Sequence, residues 1–372
     1  MNIKRFGALA TATALAVGVA ACGSSSSSSS GGGGGGSSSS KQLGGSINGA
    51  GATFPQPVYQ EWAARFKDQT GTTVNYQGIG SGGGIAQFTA GTVDFGATDS
   101  SMTDEEIAAA KKKGDPVHIP TVMGAVTVSY NVPGQKSGIK LDGATIADIF
   151  LGKIKTWNDP AIAKLNGGAQ LPSQAITVCH RSDESGTTAN FTKFLAAYSK
   201  PWANGPGTDK SVKWPTGTGA KGNDGVAACI KQNQGSIGYV EQAYALANNF
   251  TFASVKNKSG QFVAPTLAST SAAGSNLDIP SDLRISTIDA PGQQAYPITA
   301  LTFLLVYQDM CKAGMDQGKA RLVKSWLDYA EGAGQNVAKE LQYAQLPSEL
   351  HTMAKSKVSG LQCDAKPINA GA

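Results

Sequence analysis

Apolar positions along the chain fall into short runs whose period alternates between two and nearly four, with loops of glycine, serine, threonine and asparagine between them. Thr73-Val74-Asn75-Tyr76-Gln77 alternates as a half-buried strand does, and Thr92 to Asp99 reads as a short buried strand ending in a carboxylate. Val58, Trp62 and Phe66 share one helical face behind Pro55 and Pro57, near a helix start where proline is tolerated. Ile85 to Thr89, Asp104 to Ala110, Thr145 to Leu151 and Pro160 to Leu165 predict further short helices, with Trp157 between the last two. Val117 to Val132 is almost continuously apolar, broken by Pro120 and Gly124, and predicts paired strands crossing between two lobes. Ala175 to Val178 is a strand that feeds a helix ending at Tyr198, whose Phe191, Phe194, Leu195 and Ala196 lie at helical spacing and whose first turn is Ser185 to Thr187. Another helix runs through Ile230, and Gly235 to Val240 and Leu301 to Tyr307 predict strands. Helices at Lys319 to Glu331 and Ala333 to Leu341 follow, with Val323, Trp326, Leu327 and Ala330 on a core face. Strand and helix alternate throughout, so the expected class is α/β.

The two ends change this picture. Lys4 and Arg5 precede an apolar run from Phe6 to Ala21, the pattern of a secretory signal and too short for a permanent bilayer span. It ends Val19-Ala20-Ala21-Cys22-Gly23, which resembles the bacterial lipobox, so residues 1–22 are expected to be a lipoprotein signal ending at a lipidated Cys22. Ordinary secretion with an incidental cysteine is the rival. Residues 23–48 follow as a Ser/Gly-rich flexible linker. By random-coil scaling it would hold a domain roughly 25 to 30 Å from a membrane.

Charge excludes a class of partner. The chain carries 31 basic and 26 acidic residues, a net +5; without Lys4 and Arg5 the balance is 29 against 26, or +3. Near neutrality, with Lys111-Lys112-Lys113 as a solvated helix end, argues against nucleic acid. Beyond Cys22 there are Cys179, Cys229, Cys311 and Cys363, an even number in an exported chain. Four cysteines permit three pairings. Cys179 with Cys229 and Cys311 with Cys363 is the pairing that stays inside each proposed lobe, and each bridge would stabilise by about 4 kcal/mol. Zinc is the rival use, but the close Cys-x-x-Cys spacing is missing, so no metal is expected.

Candidate chemistry concentrates at Cys179-His180-Arg181-Ser182-Asp183-Glu184-Ser185-Gly186-Thr187-Thr188. A guanidinium, a carboxylate that can hold its fork, hydroxyls and the free N–H groups of a first helical turn together describe an oxyanion site. The loop Gly49 to Pro55 repeats the device, placing Thr53 at a helix N-terminus, and the glycine loop Gly78 to Gly84 presents Ser81 at another. That glycine loop lacks both the Gly-Lys-Ser/Thr ending of a nucleotide loop and the dinucleotide pattern, which discounts ATP and NAD. Asp99 stands at the carboxyl end of its strand, where open α/β sheets bind ligands. It could instead cap a helix from Met102 to Ala110, although Ser101 and Thr103 can also do so. These groups suit a small, doubly charged tetrahedral anion.

Four stretches, in order, resemble the phosphate-contacting segments of the PstS family, the phosphate-binding proteins of bacterial phosphate ABC importers. They are Gly49-Ala50-Gly51-Ala52-Thr53-Phe54-Pro55, Tyr76-Gln77-Gly78-Ile79-Gly80-Ser81, Val93-Asp94-Phe95-Gly96-Ala97-Thr98-Asp99 and Arg181-Ser182-Asp183-Glu184-Ser185-Gly186-Thr187. Leu151-Gly152-Lys153-Ile154-Lys155-Thr156-Trp157, Gly222-Asn223-Asp224-Gly225 and Gly235-Ser236-Ile237-Gly238-Tyr239-Val240 are further family-like phrases, so the resemblance covers nearly everything after the linker. It implies a two-lobed periplasmic-binding-protein fold, each lobe a mixed sheet flanked by helices and the two joined by two crossing strands. The implied lobes are residues 49–122 with 299–372, and residues 123–298.

The implied phosphate contacts are Thr53, Phe54 (through its N–H), Ser81, Asp99, Arg181, Ser185, Gly186 and Thr187, with Asp183 orienting Arg181. The pattern is broken at Gly82, where serine is common, and at Glu184, often glycine, whose side chain is expected to point to solvent. Function would be phosphate capture outside the cytoplasm, with no cofactor and no catalysis, and delivery by a lipid-anchored monomer to the importer's permease and ATPase subunits. A sensor or adhesin would use the same lobes. A hydrolase built on His180, Asp183 and Ser185 is the remaining alternative, weakened by crowding on one turn and by the missing Gly-x-Ser-x-Gly elbow.

Overall fold

Local chemistry starts the helices where they start. Thr103 caps Asp104–Ala110 and forms a capping box with Glu106, Asp142 caps Gly143–Phe150, Ser185 caps Gly186–Tyr198 and Asp316 caps Gln317–Ala330. Thr103 therefore fills the capping place, and Asp99 is left for another use. The protein is described by a computed structural model covering residues 43–275 and 277–369, so the signal, Cys22 and most of the linker lie outside the described residues. Ser46–Gly51 is already a strand with Ile47 in the core, so the fold begins inside the stretch 23–48 expected as linker.

A nine-stranded mixed sheet runs through the molecule. On one side Thr73–Gly78, Ser46–Gly51 and Phe95–Thr98 are parallel neighbours, and Thr299–Tyr307 joins them antiparallel. Beside it lies Pro116–Asn131, a strand of 16 residues. Its far half pairs antiparallel with Ser236–Glu241, which continues in parallel to Thr177–Arg181 and Thr218–Ala220. The expected pair of strands at residues 117–132 is thus one long strand common to both halves. Pro120 has no N–H for the ladder, and the register shifts where it faces Phe303, leaving Thr121 as the extra residue instead of ending the strand. The return passage lies alongside, the Ile298 carbonyl accepting from the Val126 N–H at 2.8 Å.

Cores form on both sides of this strand. Helices Gln56–Thr70 and Gln317–Ala330 bring Trp62 and Trp326 edge to face at 6.0 Å, with Phe66 against Trp326. Val323, Trp326, Leu327 and Ala330 are all fully buried, as their spacing predicts. In the other half Phe191 stacks on Tyr239 at 4.3 Å beneath Gly186–Tyr198. Cys179 is bridged to Cys229 and Cys311 to Cys363, with Cα separations of 6.0 and 4.7 Å. The first bridge ties the strand that carries Arg181 to helix Gly222–Gln232. Among the described residues no helix is long and apolar enough to cross a membrane.

Candidate anion-binding site

Every candidate loop leaves the carboxyl end of a parallel strand. Thr53 and Phe54 follow Ser46–Gly51, Ser81 follows Thr73–Gly78, Asp99 follows Phe95–Thr98, Arg181 ends Thr177–Arg181, and Asn223 follows Thr218–Ala220. Four of these loops run into helices, so N-termini of Gln56–Thr70, Ser81–Ala90, Gly186–Tyr198 and Gly222–Gln232 lie among the same residues. Thr53, Phe54, Ser81, Asp99, Arg181, Ser185, Gly186 and Thr187 are all buried.

They meet across the two halves of the sheet. Ser81 Oγ accepts the N–H of Asp99 at 3.2 Å and the N–H of Gly186 at 3.0 Å. Thr53 Oγ1 accepts both the N–H of Asn223 at 3.1 Å and its Nδ2 at 2.8 Å. Nδ2 of Asn223 also lies 3.5 Å from Thr187 Oγ1, and Nη1 of Arg181 reaches the same oxygen at 3.4 Å. A hydroxyl that already accepts two N–H donors has its own hydrogen left to give. Thr53 and Ser81 are therefore turned into donors by their neighbours, which is what an anion requires.

Arg181 is oriented by Asp183 through a fork, Nε to Oδ1 at 2.7 Å and Nη2 to Oδ2 at 2.5 Å, with the arginine side chain 1 % exposed. Burial pushes the Asp183 carboxyl up, but the Arg181 pair and the Gly222 N–H outweigh it and hold the group below its ordinary value. Asp99 is the opposite case. Burial raises it to about 7 against weaker opposing help from Thr302, Arg181 and Ser81, and its Oδ1 is buried without a hydrogen-bond partner. Asn190 fixes this loop by donating to the Asp99 carbonyl at 2.6 Å. Gly186 gives its N–H to Ser81, and a Cβ there would come within 2.7 Å of Asp99 Cβ, so its small size is what lets the two halves approach. Ser185 caps its own helix by accepting from the Thr188 N–H at 3.1 Å.

Sequence reasoning gave no role to Asn223, Tyr244 or Tyr343. Tyr244 Oη donates to the Thr53 carbonyl at 2.5 Å and Tyr343 Oη to the Phe54 carbonyl at 2.7 Å, so the two tyrosines hold the peptides on either side of Phe54. Glu241, buried beside Tyr343, is pushed well above its ordinary value by burial. Of these only Asn223 had a signal, its place in the phrase Gly222 to Gly225. His180, Asp183 and Ser185 do not form a catalytic set. His180 stacks on Trp214 at 4.6 Å with Nδ1 near the Arg181 carbonyl, while Asp183 holds Arg181 and Ser185 caps a helix. A cavity of about 540 Å³ is lined by Asp99 but by none of the other candidate contacts, so it lies beside the buried cluster rather than within it.

The class this fold and site define is that of two-lobed solute-binding proteins, and residues 36–331 match the family model described as the PBP superfamily domain. Phosphate-binding protein PstS of Pasteurella multocida is 46 % identical over 308 residues, 82 % of this chain and 87 % of that protein. Its counterpart in Haemophilus influenzae is 43 % identical, covering 84 % of this chain and 92 % of that one. A high affinity periplasmic phosphate-binding protein solved with phosphate bound superposes with a TM-score of 0.70 over 87 % of this chain and 96 % of its own; at 23 % identity it bears on the fold alone. The chain belongs to the PstS phosphate-binding protein family of the PBP superfamily.

Proposed function

We propose that this protein binds inorganic phosphate outside the cytoplasm and hands it to the permease and ATPase subunits of a phosphate ABC importer. The observation that carries this reading is the unpartnered buried oxygen of Asp99 among hydroxyls committed to donate. Phosphate at neutral pH is an anion that still has a hydrogen to give, and sulfate is not. A site with a fixed acceptor rejects an analogue lacking the donor by roughly 10⁴-fold or more. The names of the relatives point the same way.

In this reading Thr53, Ser81, Ser185 and Thr187 donate hydroxyl hydrogens, the N–H of Phe54 donates from the start of its helix, and Arg181 supplies the formal positive charge. Gly186 closes the contact, and Asp183 keeps the guanidinium in place. Residues 49–122 with 299–372 and residues 123–298 act as lobes that part to admit the ion, and the hydrogen bonds between them favour the closed form. The protein works as a monomer tethered to the outer face of the cell membrane by lipid on Cys22. Calorimetry with phosphate and sulfate tests the central claim. Tight phosphate binding with sulfate at least a thousandfold weaker is expected, and Asp99→Asn should erode that ratio more than it erodes phosphate affinity. Equal affinities of the unaltered protein for the two ions would refute it.

A further inference from the structure

Beside the site the two halves touch at a second place, where a glycine faces an acid. The N–H of Gly82, in the first turn of helix Ser81–Ala90, donates to the Glu184 carbonyl at 3.1 Å. Glu184 is exposed to solvent, as expected, but its side chain does not stand free. A Cβ placed on Gly82 would lie 1.9 Å from Glu184 Oε2 and 2.4 Å from Glu184 Cβ. The neighbouring Gly80, at φ +91°, would meet Asp183 Oδ2 at 2.6 Å and the Glu184 carbonyl at 2.7 Å in the same way. Gly80 and Gly82 thus form a socket, and the segment Asp183-Glu184 from the other half of the sheet is its plug. The carboxylate end could swing away from an added side chain, but the Glu184 Cβ could move only with its backbone.

We propose that Glu184 is a closure-determining residue: its side chain seats on Gly82 only when the halves are together and so slows phosphate release. Two effects combine. Packing against Gly82 excludes water from the seam next to Ser81, and a negative charge against the first turn of a helix is favourable by about two- to fivefold. Neither effect exists with the halves apart, so the off-rate should respond more than the on-rate. This rests on the phosphate reading above. It also makes Gly82 and Glu184 a matched pair, because any larger residue at 82 collides with Glu184 in the closed form alone.

The test is a double-mutant cycle of Gly82→Ser and Glu184→Gly, read by phosphate calorimetry and by stopped-flow release, with near-UV circular dichroism as the control for folding. Gly82→Ser is expected to weaken phosphate binding about tenfold or more, mainly through faster release. Glu184→Gly should weaken it about two- to fivefold, and Gly82→Ser/Glu184→Gly should lie within about fivefold of the unaltered protein because the collision is gone. Gly82→Ala, which adds Cβ alone, should reproduce the Gly82→Ser effect if the serine variant folds poorly. Additive losses, or a Gly82→Ser protein that releases phosphate as slowly as the parent, would overturn the pairing while leaving phosphate binding intact. A parent protein that binds no phosphate would overturn the functional reading itself.

Discussion

The two sides of the long strand Pro116–Asn131 carry the same device and opposite charges. On each, loops leave parallel strands, enter helix N-termini and turn hydroxyls toward one buried cluster. The side of Ser46–Gly51 contributes Thr53, Ser81 and the carboxylate of Asp99; the side of Thr177–Arg181 contributes Arg181, and Asp183 already occupies two directions of its guanidinium. In the proposed function Arg181, partly neutralised by Asp183 and with the acid of Asp99 opposite, supplies only part of the holding. Directed hydrogen bonds from hydroxyls and helix termini would supply the rest, and such bonds select by hydrogen count and shape.

Removing the cation is the strongest way to break that comparison. Arg181→Ala takes away the guanidinium and leaves the half-buried Asp183 carboxylate with the Gly222 N–H but no cation, so phosphate affinity by calorimetry should fall by about 10³-fold. A fall of less than tenfold would mean that the side of Thr177–Arg181 matters no more for charge than the other. Thr53→Val acts on the opposite side and is milder. It removes the hydroxyl and strands two Asn223 donors, and a loss of about 10- to 100-fold is expected. A Thr53→Val protein binding as tightly as the parent would show that this hydroxyl gives nothing to the ion.

The smallest effect concerns stability against pH without phosphate. Asp99 sits at about 7 in the fold against 3.8 unexposed to it, so the folded chain holds this proton more tightly than the unfolded one. Its contribution is therefore fully present below about pH 4 and is lost as pH rises through 7. The parent's thermal midpoint should therefore fall across that window relative to that of Asp99→Asn, against a shared background in which His118 and His180, both lowered by burial, act with the opposite sign. Glu241 and Glu331, both raised by burial, act with the same sign as Asp99 and are common to both proteins, so the difference between the two slopes isolates Asp99. Identical slopes in the parent and Asp99→Asn would count against the buried, raised carboxyl.

What could be foreseen follows from interaction range. The face of Val323, Trp326, Leu327 and Ala330 and the first turn at Ser185 depend on neighbours within a few residues, and both appear where their spacing puts them. Pro120 reads locally as a strand breaker, but the partner strand Thr299–Tyr307 accommodates it by a register shift, so Pro116–Asn131 is one strand and not two. Helix Ser348–Ser359 was not foreseen, since Leu350, Ala354 and Val358 make a thin apolar face. Asn223, Tyr244 and Tyr343 bond to partners 170, 191 and 289 residues away, beyond any local pattern.

Sequence alone settled the alternating α/β class, the loops rich in glycine and hydroxyls before helix starts, and the separate motifs that carry the family resemblance, because each is encoded in a handful of adjacent residues. Tertiary structure decided which hydroxyls must donate, that Asp99 keeps an oxygen without a partner while Thr103 caps the helix, and that Gly82 receives Glu184. Apart from the local cap at Thr103, those properties depend on residues distant in sequence, and the folding of one long strand through both halves of the sheet brings them within reach of one another.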